Sequence, residues 1–224
     1  MSVWAVLAAA GRGERLGSER PKAFARLGSR PLLAESLERL ESSDWVDSIV
    51  VAAPAEWEEP AILLAEELGA GKVSSVVTGG ASRSESVREA LAEVADDAAV
   101  VLVHDAARPL LPEDVIERVL APLSEGWDGV VPALPLSDTV KRVEGERVVE
   151  TLLRAELVAV QTPQAFIASV LREALSGVVS AASDCASLVE SRGGRVKVVG
   201  GDRRLLKVTS AEDLSLVESW LAPE

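Results

Sequence analysis

Short unbroken apolar runs alternate along this chain with segments in which apolar residues recur every three or four positions. Trp4 to Ala9 is the first run, closed by Gly11. Ile49 to Ala53, Val73 to Val77, Val100 to Val103 and Val130 to Ala133 follow it. Between them, Pro31 to Glu41 sets Leu33, Leu37 and Leu40 on one helical face, and Ala61 to Leu68 and Glu113 to Leu120 also read as helices. Ser82-Arg83-Ser84-Glu85 is a capping box that opens a helix to about Val94. Continuous apolar strands are buried on both faces, and strands separated by helices pair in parallel. The pattern therefore predicts an α/β fold, a mostly parallel sheet with helices on both faces. In open sheets of this kind ligands bind beyond the carboxyl ends of the strands. Those ends carry Ala10-Gly11, Thr78-Gly79-Gly80 and His104-Asp105, which predicts one cleft assembled from several loops.

The alternation breaks between about residues 135 and 154. Thr139 to Val143 and Arg147 to Thr151 flank Glu144-Gly145-Glu146 and read as an inserted β-hairpin arm. A two-stranded hairpin alone is marginal in water, so the arm needs a surface to pack on, and a second subunit is a natural candidate. Helical signals resume from about Phe166 to Leu175 and again over 184–191. Val196 to Val199 reads as a strand, and Ser210 caps a last helix running to about Leu221. The 224 residues fit one domain carrying the arm.

Composition narrows the chemistry. Acidic residues outnumber basic ones 36 to 23, and the net charge of −13 repels nucleic-acid backbone and anionic lipid. The reading is therefore no nucleic-acid partner and no membrane partner, and any basic cluster works against the global field. Cys185 is the single cysteine, which excludes an internal disulfide and a paired-cysteine metal knuckle and fits a reducing, cytoplasmic compartment. His104 is the single histidine, so a His-rich metal site is excluded. The first apolar run has no basic residue before it and falls short of the ~20 residues that cross a bilayer. It is read as a buried strand.

Four groups of residues carry candidate chemistry. In the first, Leu7-Ala8-Ala9-Ala10-Gly11-Arg12-Gly13-Glu14-Arg15-Leu16 leads to Pro21-Lys22. Glycines let backbone N–H groups approach phosphate oxygens, and Arg15 and Lys22 add the positive charge that a phosphoryl group in flight requires. The spacing Gly11-x-Gly13-x-x-x-Gly17 departs from the dinucleotide fingerprint, and a plain structural loop is the alternative. Gly69-Ala70-Gly71-Lys72 precedes Val73 and lacks the hydroxyl of a Walker A loop, so it reads as a helix-to-strand turn. The second group is His104-Asp105-Ala106-Ala107-Arg108-Pro109. A carboxylate at the end of a buried strand can hold Mg²⁺ against phosphates, and a loop-capping Asp with an Arg partner is the alternative. His104 weighs more as hydrogen-bonded structure than as a base. The third group is Asp138-Thr139, Arg154 and Gln161-Thr162-Pro163-Gln164. The fourth is Lys207-Val208-Thr209 after Asp202. These last two gain weight only as part of a set.

As a set, the residues resemble a known family. Ala9 to Arg15 with Pro21-Lys22 is similar to the signature of sugar-nucleotidyltransferase folds. His104 to Pro109, Asp138-Thr139-Val140-Lys141, Thr162-Pro163-Gln164-Ala165-Phe166, Asp184-Cys185-Ala186-Ser187 and Lys207-Val208-Thr209 narrow the likeness. It runs in order through almost the whole chain and points to the 2-C-methyl-D-erythritol 4-phosphate cytidylyltransferases of the non-mevalonate isoprenoid pathway. The resemblance implies a Rossmann-like domain, a homodimer exchanging contacts through the β-arm, and Mg²⁺-dependent transfer of CMP from CTP to methylerythritol phosphate. It implies that Arg15 and Lys22 stabilise the transition state, with Arg154 and Lys207 also catalytic. Ala9, Ala10, Gly11, Gly13, Gly80, Ser86, Asp105 and Ala106 would hold the nucleotide, with Asp105 at the metal. Thr139 and Arg154 would bind the alcohol phosphate in the neighbouring subunit's site, together with Lys207, Arg108 and Thr162. Two positions depart from the family pattern: Ala81 follows the glycine pair and Cys185 follows Asp184, both where acidic residues are common.

The proposed nucleophile is a phosphate oxygen, mostly ionised at neutral pH because its second pKa is about 6. No general base is required, which agrees with a chain that has one His and one Cys. A pentitol-phosphate cytidylyltransferase, such as one using ribitol 5-phosphate, shares the nucleotide half. A dinucleotide-dependent oxidoreductase and a non-catalytic nucleotide-binding regulator are readings from other classes.

Overall fold

A computed structural model of the chain describes residues 2–11, 13, 20–177 and 182–221. Strand β1 (Val3–Ala8) is followed by a two-residue pair, β2 (Arg26–Leu27) and β3 (Arg30–Pro31), and by α1 (Leu32–Glu41). The chain continues through β4 (Ser48–Ala53), α2 (Glu58–Glu67), β5 (Val73–Thr78), α3 (Arg83–Leu91), β6 (Val100–Asp105) and α4 (Glu113–Leu120). Next come β7 (Gly129–Pro135), the arm strands β8 (Lys141–Glu144) and β9 (Arg147–Thr151), then β10 (Val158–Val160) and β11 (Gln164–Ile167). Helices α5 (Ala168–Leu175) and α6 (Cys185–Ser191), strand β12 (Val196–Gly200) and α7 (Ala211–Leu221) complete the described chain.

The central sheet runs β10-β7-β11-β6-β1-β4-β5, with β12 also paired to β7. β1 lies parallel between β4 and β6, and β5 is parallel to β4, while β10 and β11 are antiparallel to their neighbours. The apolar runs explain why the sheet is covered twice. Successive side chains of a strand point to opposite faces. Leu7, Ile49, Val51 and Leu102 pack on one face with Leu33, Leu37 and Leu40 of α1 and Val115 and Ile116 of α4. Val6, Val50, Val101 and Val103 pack on the other with Val87 of α3, Leu171 of α5 and Val189 of α6. A third cluster seats α7 through Val217 against Leu27, Leu32 and Val208.

The structure bears out the mostly parallel α/β sheet and the hairpin arm, and it moves some boundaries. Phe166 and Ile167, expected to open a helix, instead end the antiparallel strand β11, because Gln164 to Ile167 pair with Val103 to Val100 in the sheet centre. The helix begins only at Ala168. The strand β10 and the β2–β3 pair had no counterpart in the hydrophobic pattern. The capping box is present: the Ser82 hydroxyl accepts from the Glu85 N–H, and the Glu85 carboxylate accepts from the Ser82 N–H. The Ser210 hydroxyl accepts from the Asp213 N–H at the start of α7.

Candidate active site

The carboxyl ends of β1, β4, β5 and β6 open into a cleft of about 1230 Å³. Its lining includes Ala9, Ala10, Gly11, Gly13, Lys22, Gly80, Ser86, Asp105, Ala106 and Lys207, all expected at the site, together with Arg83. Two glycines are required for these loops to meet. Gly13 has φ +72°, and a Cβ there would stand 2.5 Å from the Lys22 Cβ. The Lys22 N–H also donates to the Gly11 carbonyl at 3.3 Å, so the glycine loop folds back onto the lysine that ends its motif. A Cβ on Gly79 would stand 2.2 Å from that of Ala10, so the loops after β1 and β5 touch only because Gly79 has none.

Asp105 is the anionic centre of the cleft. Its side chain is almost wholly buried at the end of β6. Oδ1 accepts from Arg83 Nε at 2.7 Å and Oδ2 from Lys207 Nζ at 2.6 Å. Burial opposes the ionised carboxyl, and the Arg83 and Lys207 charges overturn that, holding Asp105 well below the usual carboxylate range. Arg83 Nη1 also lies 3.7 Å from the Cys185 Sγ. Burial pushes the Cys185 thiol up to about 11, so it is neutral at physiological pH.

Behind Asp105 a hydrogen-bond relay fixes the loop. The Thr162 hydroxyl accepts from the Asp105 N–H at 3.0 Å and donates to His104 Nδ1 at 3.1 Å. His104 Nε2 is 3.0 Å from the Arg108 carbonyl, an acceptor only, so the proton sits on Nε2. Burial lowers the imidazole to about 4, and with both nitrogens engaged it serves as neutral framework. Gln161 clips the loop before Lys207: its Nε2 donates to the Asp202 carbonyl at 2.9 Å and its Oε1 accepts the Asp202 N–H at 3.0 Å. The Val208 N–H donates to the Ala107 carbonyl at 2.8 Å, which sets the Lys207 backbone beside β6.

Other expected site residues stand elsewhere. Thr162 is buried with its hydroxyl committed to Asp105 and His104, so the expected phosphate contact gives way to a framework role. Arg108 lies outside the cleft lining and donates to the Leu205 carbonyl, which makes it a brace for the loop carrying Lys207. Thr139 and Arg154 are exposed beside the arm, and Arg154 donates to the Ser137 carbonyl. Arg15 lies outside the described residues. In the sequence Arg83 stands out only as a helix-start residue. Its signal was positional, because a capping box at Ser82 places the next residue at the carboxyl edge of the sheet, facing the end of β6. Gly69 and Lys72 form the structural turn expected of them, with Lys72 Nζ donating to the Ser43 carbonyl.

The family model for 2-C-methyl-D-erythritol 4-phosphate cytidylyltransferase matches residues 3–222. A protein of that name from Frankia casuarinae is 47% identical over 221 residues, covering 98% of this chain and 81% of its own. One from Nocardia farcinica is 48% identical over 221 residues, covering 98% and 94%. The crystal structure of the Thermus thermophilus protein of that name superposes with a TM-score of 0.77 at 34% identity, covering 96% of each chain. With the family model matching residues 3–222 and relatives of that name 47% and 48% identical over 98% of its length, the chain belongs to the 2-C-methyl-D-erythritol 4-phosphate cytidylyltransferase family.

Proposed function

We propose how this cytidylyltransferase moves CMP from CTP to 2-C-methyl-D-erythritol 4-phosphate in isoprenoid precursor synthesis. A phosphate oxygen of the alcohol phosphate attacks the α-phosphorus of CTP. A new P–O bond forms as the bond to the β-phosphate oxygen breaks, and pyrophosphate leaves with the electron pair. The attacking phosphate is largely ionised at neutral pH, so no base is drawn from the chain. This agrees with a lone histidine whose two nitrogens are already committed. Lys22, on the cleft wall at the end of the glycine loop, stabilises the charge that develops on the transferring group, and Arg15 of the same loop joins it. Ala9, Ala10, Gly11, Gly13, Gly80, Ser86 and Ala106 hold the nucleotide, and small side chains there let its phosphates approach the backbone.

The observation that carries this reading is the pairing of Asp105 with Lys207 in the cleft that Lys22 also lines. It supplies a cation for the acceptor phosphate within the cleft that takes the triphosphate. Asp105 does not fit as a protein ligand for Mg²⁺. Arg83 holds Oδ1 and Lys207 rests on Oδ2, so two positive charges oppose a divalent cation at this carboxylate, and no group of three or more metal-binding side chains stands together among the described residues. Mg²⁺ is accordingly assigned to the triphosphate, with phosphate oxygens and water as its ligands, and Asp105 to Arg83 and Lys207.

The arm, at about 135–154 in a single nucleotidyltransferase domain, is assigned to a homodimer contact. Val143 and Val148 oppose one another across it and are both exposed, an apolar pair that a partner covers. In that dimer Thr139 and Arg154 reach the neighbour's acceptor phosphate. No described helix is long and apolar enough to cross a membrane, and the cytoplasm is the compartment assigned.

Subunit mixing tests the shared site. Lys22→Ala and Arg154→Ala homodimers are each expected to be nearly inactive. After subunit exchange, half the dimers are mixed and one of their two sites is intact, so activity returns to about a quarter of wild type. No recovery on mixing, with exchange verified, would place Arg154 in its own subunit's site.

A further inference from the structure

Asp105 binds two cations of different character, and the difference has a use. Arg83 is the first residue of α3, behind a complete capping box, and its side chain is 21% exposed. Lys207 comes from a loop, and its side chain is 40% exposed against 7% for Asp105. The lysine backbone is fixed by the Val208 N–H and, through Arg108 and Gln161, by the braced loop around it. Its ammonium ends a flexible stem. An anionic ligand in the cleft competes with Asp105 for that ammonium. If Lys207 were the only partner, its departure would strand a buried carboxylate, which is strongly unfavourable.

Resting on the function proposed above, we infer that Arg83 is a positioning residue: it keeps Asp105 fixed and paired while Lys207 moves off the carboxylate to an incoming phosphate. Arginine suits the part because it stays protonated and donates in a rigid fork. Here Nε is given to Asp105 Oδ1 and Nη1 to the neutral Cys185 thiol, and Nη2 has no partner among the described residues. The cysteine's neutrality matters. A second anion beside Arg83 would divide its charge, whereas Cys185 leaves that charge to Asp105. The other groups near Asp105 are His104 of β6, which is neutral, Arg108 of the following loop, and Asp184 at the start of α6. Asp184 accepts from the Ser187 N–H and the Gln164 amide. None of these contacts the Asp105 carboxylate in place of Arg83.

The test follows the Asp105 carboxyl carbon by NMR during pH titration, with the signal assigned from Asp105→Asn. It compares wild type, Arg83→Gln, Arg83→Lys and Lys207→Gln. Lys207→Gln is expected to leave the midpoint below the usual aspartate range, since Arg83 remains. Arg83→Gln is expected to raise it by at least about one unit, and Arg83→Lys to restore most of that. Inorganic phosphate added to wild type is expected to shift the Lys207 ammonium signal and leave the Asp105 midpoint low. A midpoint raised as far by Lys207→Gln as by Arg83→Gln would overturn the assignment. So would a Lys207 signal that phosphate does not move. If Arg83→Gln does not fold, Lys207→Gln decides alone: a midpoint at or above the ordinary value contradicts the proposal. The titration needs no turnover, so an error in the assigned reaction would show separately, as absent pyrophosphate release.

Discussion

At His104, burial, one donor and one acceptor act on a single imidazole. The fold has no room for a second ring proton, because Nδ1 already accepts from Thr162. The unfolded chain faces no such constraint and takes a proton near the ordinary value of 6.5, whereas the folded protein resists it to about 4. Between those values the unfolded state binds more protons, so stability is full above pH 6.5 and is lost as pH falls toward 4. The loss reaches about 3 kcal/mol. Asp105 does not interfere in this window, because its depressed carboxyl contributes stability that is lost only at lower pH. Denaturant unfolding at pH 7, 6 and 5 is expected to show this decline in wild type and a flatter profile in His104→Gln. Equal slopes in the two proteins would mean that His104 is not held neutral. Asp105, by contrast, owes its state to charged neighbours remote in sequence, Arg83 at 22 positions and Lys207 at 102.

That contrast recurs among the elements. β1, β4 and β6 were legible in the sequence because burial on both faces leaves continuous apolar runs, and the loops at their carboxyl ends marked the cleft. Helix α3 was legible from its cap. β11 was not, because Phe166 and Ile167 run on into the apolar positions of α5 at Ala168 and Leu171, and only pairing with β6 draws residues 164–167 into the sheet. The roles of Arg83, Thr162 and Arg108 were hidden for the same reason: each depends on which loops the sheet order brings together. The arm was legible from its turn, and its exposed valine pair carries a prediction. Val148→Asp is expected to leave the fold of each subunit intact, since Val148 is exposed, and to shift the protein from dimer to monomer by light scattering. Use of the alcohol phosphate should fall with it. A Val148→Asp protein that stays dimeric with full activity would remove the arm from the interface.

Over the whole molecule, a chain with net charge −13 must take a triphosphate and a phosphorylated alcohol. The cleft resolves this locally. Arg20, Lys22, Arg83 and Lys207 line it with the single carboxylate Asp105 among the described residues, so basic side chains outnumber acidic ones in the lining, against the balance of the whole chain. In the proposed reaction the acceptor phosphate supplies its own nucleophile, so the chain's part is positioning and charge. The most direct measurement is pyrophosphate release by the purified protein with CTP, Mg²⁺ and methylerythritol phosphate, with ribitol 5-phosphate as alternative acceptor and UTP, ATP and GTP as alternative donors. Rapid release with CTP and methylerythritol phosphate, and little with any other pair, is the predicted result. Release that prefers ribitol 5-phosphate, or none from a folded protein with any pair, would contradict it.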